Sequence, residues 1–354
     1  MSTNKPDLYD LDLTDLETLL SSWGEPRYRA KQIWEWLYRH LVTDITKMTS
    51  LPKTLRARLA EETYLNVPEV LTSQESITGE TRKDLLKLRD GEQVEVVLMR
   101  YIDRRSACIS SQVGCAAGCQ FCATGQMGFQ RNLSCGEIVA QALHFARELN
   151  TQDQRLTNIV LMGMGEPLFN YDNTLAAIRC LIHPEGFCMG QRRITLSTVG
   201  IVPGIRRFSQ EGLQVNLAVS LHGATDDVRS MLMPINRRYG LDDLFSAIND
   251  YITQTNRRVT FEWALIDGIN DTPEQAQALA ARLTGMLAHV NLIPLNPTAG
   301  YQGRPSSPEH TEAFAALFDQ YHIPYTLRLR RGIDIQAGCG QLRSARMKES
   351  GTGN

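Results

Sequence analysis

From Ala107 onward, short apolar runs of the chain alternate with amphipathic segments of helical period. The runs read ACISS, NIVLMGMGEP, RITLSTVG, VNLAVSLHG, VTFEWALIDG and HVNLIPLNP, and most end in a polar or glycine-rich corner. This alternation predicts six or more parallel strands with helical crossovers, in a doubly wound sheet or a full or partial β/α barrel. In both architectures ligands gather at the C-terminal ends of the strands.

The chain before this series has two other patterns. Apolar residues recur at helical spacing from Thr14 to about Leu65, which predicts a small helical domain over residues 1–65. In TRKDLLKLRDGEQVEVVLMRY, Asp90 and Gly91 predict a two-residue turn between two strands, with Glu95 on the second strand. We therefore predict a linker and β-hairpin extension over 66–106, a core barrel over 107–332 and a C-terminal segment over 333–354.

Composition places the chain among soluble globular proteins. It has 354 residues, a formal net charge of -2, 42% hydrophobic residues and 21% charged residues. No apolar run reaches the length of a membrane span, and the N-terminal stretch is acidic and polar where a secretory signal would be basic and then apolar. We therefore expect a cytoplasmic protein without membrane contact, in which cysteines bind metals or do redox chemistry more often than they form structural disulfides.

Four of the eight cysteines lie in CISSQVGCAAGCQFC. Cys115, Cys119 and Cys122 form a C-x3-C-x2-C loop directly after the first strand of the series. A structural zinc site needs a fourth ligand, and Cys108 lies inside the preceding strand, where it does not readily join so small a loop. Three thiolates also hold a [4Fe–4S] cluster and leave one iron without a protein ligand. The spacing favours such a cluster over zinc.

Candidate ligands for a bound cofactor follow four later strands. They are Gly165 and Glu166 in GMGEP, Ser197 in LSTVG, Ser220, Leu221 and His222 in SLH, and Asn296 in LNP. GMGEP is not a dinucleotide-binding loop, because Leu168 occupies the position of the third glycine. Each residue taken singly is typical of a turn or a cap. Their common position at strand ends favours one shared site.

A further cysteine, Cys339, lies near the C-terminus in GIDIQAGCGQL. A lone cysteine is usually a small core residue. Here glycines flank it, and Arg328, Arg330 and Arg331 precede it closely. These neighbours predict an electropositive turn that favours the thiolate form.

Taken in order, these motifs, with MPIN and VNLIPLNP, resemble the RlmN family of dual-specificity RNA adenine-C2 methyltransferases in the radical S-adenosylmethionine (SAM) superfamily. The resemblance covers nearly the whole chain. It implies a partial (β/α)6 barrel with an N-terminal helical domain that helps to bind RNA. It also implies a [4Fe–4S] cluster on Cys115, Cys119 and Cys122, with SAM held by the strand-end residues.

The resemblance further implies a radical route, because adenine C2 is not a nucleophile. Cys339 takes a methyl group from one SAM molecule, and a second SAM molecule at the cluster yields the radical that activates this methyl group. A covalent protein–RNA adduct forms on C2. Glu95 removes the C2 proton, and Cys108 releases the product by forming a disulfide with Cys339 that must then be reduced.

The expected partners are 23S ribosomal RNA in a protein-poor or early-assembly form, tRNA, and an electron donor such as a flavodoxin or ferredoxin. We expect a monomer. Two alternatives stay open. One is a relative of the C8-methylating resistance enzymes, against which the proline after Glu166 is a single residue of evidence. The other is a non-catalytic iron–sulfur or zinc RNA-binding protein, which leaves Cys339 without a purpose.

Overall fold

The computed structural model describes residues 5–328 and 330–343. The first unit is helical, as the apolar period predicts. Its helices are α1 (Leu13–Ser22), α2 (Tyr28–Tyr38) and α3 (Lys53–Glu62). Trp34 on α2 is 1% exposed and packs in the main hydrophobic core, so it is not available for base stacking.

Three antiparallel strands follow, where the sequence predicted two. They are β1 (Glu69–Glu75), β2 (Thr81–Lys87) and β3 (Gln93–Arg100). Every residue of β1 is exposed, so this strand has no apolar alternation to reveal it. The predicted two-residue turn is wrong, because residues 88–92 connect β2 to β3 and Gly91 has a φ of 90°.

The remaining elements form the β/α series. In chain order they are β4 (Arg105–Cys108), β5 (Gln112–Gly114), α4 (Ala123–Gln126), β6 (Phe129–Asn132), α5 (Cys135–Asn150), β7 (Asn158–Leu161), α6 (Tyr171–Ile182), β8 (Ile194–Thr198), α7 (Val202–Ser209), β9 (Asn216–Ser220), α8 (Asp226–Leu232), α9 (Leu241–Thr255), β10 (Val259–Leu265), α10 (Pro273–Leu283), β11 (Ala288–Pro294), α11 (Pro308–Gln320) and β12 (Tyr325–Leu327). The predicted capping box of Ser134 and Glu137 is present at the start of α5.

One ten-stranded sheet carries the fold, in the order β1-β2-β3-β4-β7-β8-β9-β10-β11-β12. Its pairs are antiparallel as far as β4 and parallel from β4 to β12. In the described chain β4 pairs with β3 and β7, and not with β12, so the parallel strands do not close into a full barrel. They form a partial barrel, as the resemblance implied. None of the described helices is long and apolar enough to span a membrane.

The first turn of the chain is anchored on α5 by two acidic residues. Asp10 accepts a hydrogen bond from the Gly136 amide at 2.6 Å, and a Cβ at Gly136 would lie 2.6 Å from Asp7 Oδ2. Asp7 Oδ1 accepts the amides of Tyr9 and Asn66, while its Oδ2 is buried without a hydrogen-bond partner among the described residues. Burial raises the pKa of Asp7 to about 7.

We expect Asp7→Asn to make stability less dependent on pH. The folded state holds the Asp7 proton up to about pH 7, whereas the unfolded chain loses it near pH 4, so wild-type stability falls as pH rises through this window. Thermal unfolding should show equal stability of both proteins near pH 4 and a gain for the variant of roughly 2–4 kcal/mol above pH 7. Asp242→Asn, at a side chain that is 92% exposed, is the control. Parallel pH profiles of the wild type and Asp7→Asn would contradict the assignment.

Candidate active site

The loop that carries Cys115, Cys119 and Cys122 starts at the end of β5. Gly114 has a φ of 75°, and a Cβ there would lie 1.9 Å from the carbonyl oxygen of Gly128, so only glycine fits. The Cys115 amide donates to that same Gly128 oxygen at 2.9 Å. Cys115 and Cys119 belong to a small apolar cluster, which contains Phe121, Leu232, Met233, Ile266 and Leu295.

These three thiols fit an iron–sulfur cluster better than zinc. Among the described residues, the groups of three or more ligand atoms within 4.8 Å of one another contain no cysteine. Tetrahedral zinc, with Zn–S bonds of about 2.3 Å, would hold the sulfurs only about 3.8 Å apart. Burial raises the pKa of Cys115 to about 12 and that of Cys119 well above its ordinary value. The thiolates therefore need a bound cation, which the cluster iron supplies.

A cavity of about 150 Å³ lies beside this loop, at the C-terminal ends of the parallel strands. The predicted cofactor residues that line it are Gly165, Glu166, Ser197, Ser220, His222 and Asn296. Cys119, Cys122 and Cys339 also line it. Leu221 does not, since its side chain is 0% exposed in the main core and both of its backbone polar groups are paired.

The GMGEP turn is shaped by close packing against the segment after β4. Gly165 has a φ of 97°, and a Cβ there would lie 2.5 Å from Gln112 Cβ. A Cβ at Gly163 would lie 2.7 Å from the carbonyl of Ile109. Gln112 Oε1 accepts the Glu166 amide at 2.8 Å and aims the turn at the cavity.

Glu166 ties two strand ends together. One carboxylate oxygen accepts the Leu168 amide at 2.9 Å, and the other accepts the Val199 amide at 2.8 Å. Burial raises the pKa of Glu166 to about 7. Its predicted role in holding SAM stays a prediction: each carboxylate oxygen already accepts one backbone amide and keeps a second lone pair.

His222 is held as a neutral hydrogen-bond donor. It has a φ of 55°, and its Nδ1 accepts the Ala264 amide at 2.8 Å. Burial, aided by the Arg229 charge, lowers the pKa of His222 to about 3. The imidazole is therefore neutral, with its proton on Nε2.

Asn296 joins the cavity to the C-terminal segment. Its Nδ2 donates to the carbonyl oxygen of Cys339 at 3.1 Å. Its Oδ1 is buried without a hydrogen-bond partner among the described residues. A buried acceptor that lacks a donor fits a bound ligand with N–H or O–H groups, such as the amino and hydroxyl groups of SAM.

The segment around Cys339 is held from two sides. The Ala123 amide, next to Cys122, donates to the Gly340 carbonyl at 2.7 Å, and Thr124 Oγ1 donates to the Leu342 carbonyl at 2.6 Å. From the other side, Glu95 accepts the Arg343 amide at 2.7 Å.

Glu95 is therefore not a solvent-facing strand residue. It is 7% exposed and forms an ion pair with Lys83 at 2.9 Å. The structure places this carboxylate against the segment that carries Cys339, on a strand that is antiparallel to β4.

A second cavity, of about 660 Å³, contains the two predicted redox cysteines in one wall. Cys108 is at the end of β4, and Cys339 lines both cavities. Burial raises the pKa of Cys108 above its ordinary value and that of Cys339 to about 11, with Glu262 raising the latter further. Arg328 opposes this effect only in part. The residue itself is exposed, so the predicted preference of Cys339 for thiolate stays a prediction, although the net effect of these neighbours is to raise the pKa of the thiol.

Seven arginines also line the larger cavity: Arg104, Arg192, Arg257, Arg258, Arg328, Arg330 and Arg331. Sequence reasoning found the last three but missed the other four, Arg104, Arg192, Arg257 and Arg258, which lie just before β4, β8 and β10. The paired arginines in QRRITL and NRRVTF were the available signal. Glu262 and Asn291 in the same wall were missed as well. Arg346 lies outside the described residues.

Comparison with known proteins gives two family matches. The family described as the ribosomal RNA large subunit methyltransferase N-terminal domain matches residues 6–65, and the radical SAM superfamily matches residues 109–280. The chain is 51% identical to the dual-specificity RNA methyltransferase RlmN 1 of Myxococcus xanthus, over 97% of this chain and 96% of the relative. It is 48% identical to a probable RlmN of Chloroflexus aurantiacus, over 95% and 92% of the two chains.

A solved structure agrees with these matches. The crystal structure of a radical SAM methyltransferase from Sphaerobacter thermophilus superposes with a TM-score of 0.93 at 50% sequence identity. The match covers 96% of this chain and 99% of the other.

We expect Gly165→Ala to destabilise the protein and disturb the smaller cavity. The substitution adds both backbone strain and a collision with Gln112, at a cost of roughly 2 kcal/mol or more in the free energy of unfolding. Gly79→Ala is the matched control, because Gly79 has a φ of 69° but nothing within 4 Å of the added Cβ. Chemical denaturation gives the free energy of unfolding of both variants, and the difference between their losses reports the collision with Gln112 apart from the backbone strain. An equal loss in the two variants would show that close packing at Gly165 is unimportant.

Proposed function

The chain belongs to the RlmN family of radical SAM RNA methyltransferases, and from this premise we propose that it methylates C2 of adenosine. The substrates are an adenosine in the peptidyl-transferase centre of 23S ribosomal RNA and adenosine 37 of some tRNAs. One observation carries the proposal: Cys339 lines both the small cavity beside the cluster loop and the large cavity that contains Cys108 and the arginines.

The cofactors of this chemistry are a [4Fe–4S] cluster and SAM. Cys115, Cys119 and Cys122 hold the cluster, and Gly165, Glu166, Ser197, Ser220, His222 and Asn296 hold SAM. When bound, these groups supply a methyl group and then the radical that removes a hydrogen atom from it. The neutral Nε2–H of His222 donates to the ligand, and the unpartnered Oδ1 of Asn296 accepts from it. The sequence also assigned Leu221 to SAM binding, but its side chain is buried in the core and has no role in holding SAM here.

The protein's own groups carry the methyl carbon to the RNA. In this route Cys339 accepts the methyl group on sulfur, the methyl group loses a hydrogen atom, and its carbon bonds to adenine C2. The radical adduct then gives up one electron, which the cluster would take up. Glu95, ion-paired with Lys83, takes the C2 proton. The Cys108 thiol attacks the Cys339 sulfur, and the S–C bond breaks with its electron pair going to carbon. That carbon takes a proton and becomes the methyl group of the released RNA. The resulting disulfide is reduced before the next turnover, and a flavodoxin or ferredoxin feeds electrons to the cluster.

The arginines of the larger cavity are suited to RNA phosphates. They line the same cavity as Cys108 and Cys339, so phosphates bound by them would share that cavity with the reacting sulfurs. An adenosine in folded RNA must leave its stack to reach Cys339, at a cost of a few kcal/mol. Charge-assisted contacts to the flanking backbone offset that cost.

The main rival reaction is methylation at C8. The same cysteines and the same cavities would serve it, and Pro167 after Glu166 is the residue that favours C2. The regiochemistry therefore needs a product measurement.

The test is anaerobic reaction of the reconstituted protein with a 23S RNA fragment, followed by mass spectrometry of the nucleosides. We expect 2-methyladenosine from the wild type and none from Cys119→Ala, which lacks a cluster ligand. Cys188→Ala is the control, because Cys188 is exposed and lines neither cavity. A purified protein that holds zinc and no iron, or that yields 8-methyladenosine, would contradict the proposal.

Cys108→Ala should trap the covalent protein–RNA adduct. Without the attacking thiol, the bond between Cys339 and the transferred carbon persists, so turnover falls at least about 100-fold and RNA migrates with the protein in denaturing gels. Cys180→Ala, at a buried cysteine on α6 outside both cavities, controls for the loss of a thiol. Free methylated RNA at the wild-type rate would refute the role of Cys108.

A further inference from the structure

Glu262 is a buried carboxylate in the wall that separates the two cavities. It lies within β10, in register with Ser220 on β9 and with Asn291 on β11. Its side chain is mostly enclosed, with the residue 8% exposed, yet it lines both cavities. Of the described residues that line the larger cavity, it is the one carboxylate.

One oxygen of Glu262 is fixed and the other is available. Asn291 Nδ2 donates to Glu262 Oε1 at 2.8 Å. Oε2 makes no hydrogen bond to a described residue. Glu166 is the other carboxylate at the smaller cavity, but backbone amides engage both of its oxygens. Of the two carboxylates that line these cavities, Glu262 is therefore the one with an oxygen available to take a proton.

Among the described residues, Cys339 is the thiol that lines both cavities together with Glu262. Both residues line both cavities, and the Glu262 charge acts on the Cys339 thiol more strongly than any other charge near it. The other charged or titratable groups that act on Cys339 are Arg328 and Cys122, and Cys108 is also electrostatically coupled to it. At neutral pH Cys339 is a thiol, whereas displacement at the SAM methyl group requires a thiolate.

We propose that Glu262, held in place by Asn291, is the base that accepts the thiol proton of Cys339 as its sulfur takes the methyl group from SAM. The sulfur lone pair forms the bond to the methyl carbon. The bond from that carbon to the sulfonium breaks, and its electron pair stays on the departing sulfur. The proton moves to Glu262 and then to water in the larger cavity. This inference rests on the proposed function, and Glu95 serves the separate C2 step.

Glu262→Gln tests the assignment, because glutamine keeps the shape and the acceptor for Asn291 but cannot take a proton. The reconstituted protein with unmethylated Cys339 is mixed with saturating SAM, and S-methyl-Cys339 is followed by peptide mass spectrometry. At about pH 7 we expect methylation to be roughly 100-fold slower in the variant, with recovery as pH rises and the thiol ionises unaided. If the carboxylate acted only by repelling the thiolate, its removal in Glu262→Gln would make methylation of Cys339 faster, not slower.

A second readout needs neither cluster nor SAM. Alkylation of Cys339 by iodoacetamide, measured against pH, should shift to lower pH in Glu262→Gln, because a negative neighbour has been removed. Glu274→Gln, on the first turn of α10, should change neither profile. An unshifted alkylation profile, or methylation as fast as in the wild type, overturns the assignment of Glu262. A wild type that forms no S-methyl-Cys339 overturns the proposed function as well.

Discussion

The site depends on the hydrogen bonds that hold the Cys339 segment over the strand ends. The donors are the Ala123 amide, Thr124 Oγ1 and Asn296 Nδ2, and all three bonds end on backbone carbonyls of residues 339–342. Two of these donors follow the cluster cysteine Cys122 directly in the chain. The thiol proposed to receive the methyl group is thus positioned by the loop proposed to hold the cluster, so one set of contacts would serve both steps of the proposed chemistry.

The protein surroundings shift the pKa of several groups at this site towards their uncharged forms. Enclosure by protein raises the pKa of Glu166, Cys108 and Cys339 and lowers that of His222. A buried charge is stable only beside a compensating partner, as the Lys83–Glu95 ion pair illustrates. The cysteines are therefore poor nucleophiles until a metal ion or a base acts on them. This protects a protein with several thiols near one cavity from indiscriminate reaction.

Sequence pattern predicted the parallel strands well because each combines a buried apolar run with a polar corner. It missed β1, whose residues are all exposed. It also predicted two residues for the turn between β2 and β3, which residues 88–92 form. Within the site, Leu221 shares a motif with Ser220 and His222, but the strand end directs its side chain into the core. Adjacent positions point to opposite sides of an extended chain, which a short motif does not record.

The sequence by itself determined the β/α order, the cysteine spacing that predicts a cluster, and the family, because these depend on local spacing and residue type. Only the tertiary structure decided which distant residues share a cavity and what charge they carry there. Cys108 and Cys339 meet because β4 and the C-terminal segment border the same space. Glu262 lies between the two cavities because β10 pairs with β9 and β11 in a register that places it beside Ser220 and Asn291. The surrounding protein and Glu262 raise the pKa of the Cys339 thiol despite its arginine neighbours in sequence, because desolvation and nearby charge are properties of the folded surroundings and not of the adjacent residues.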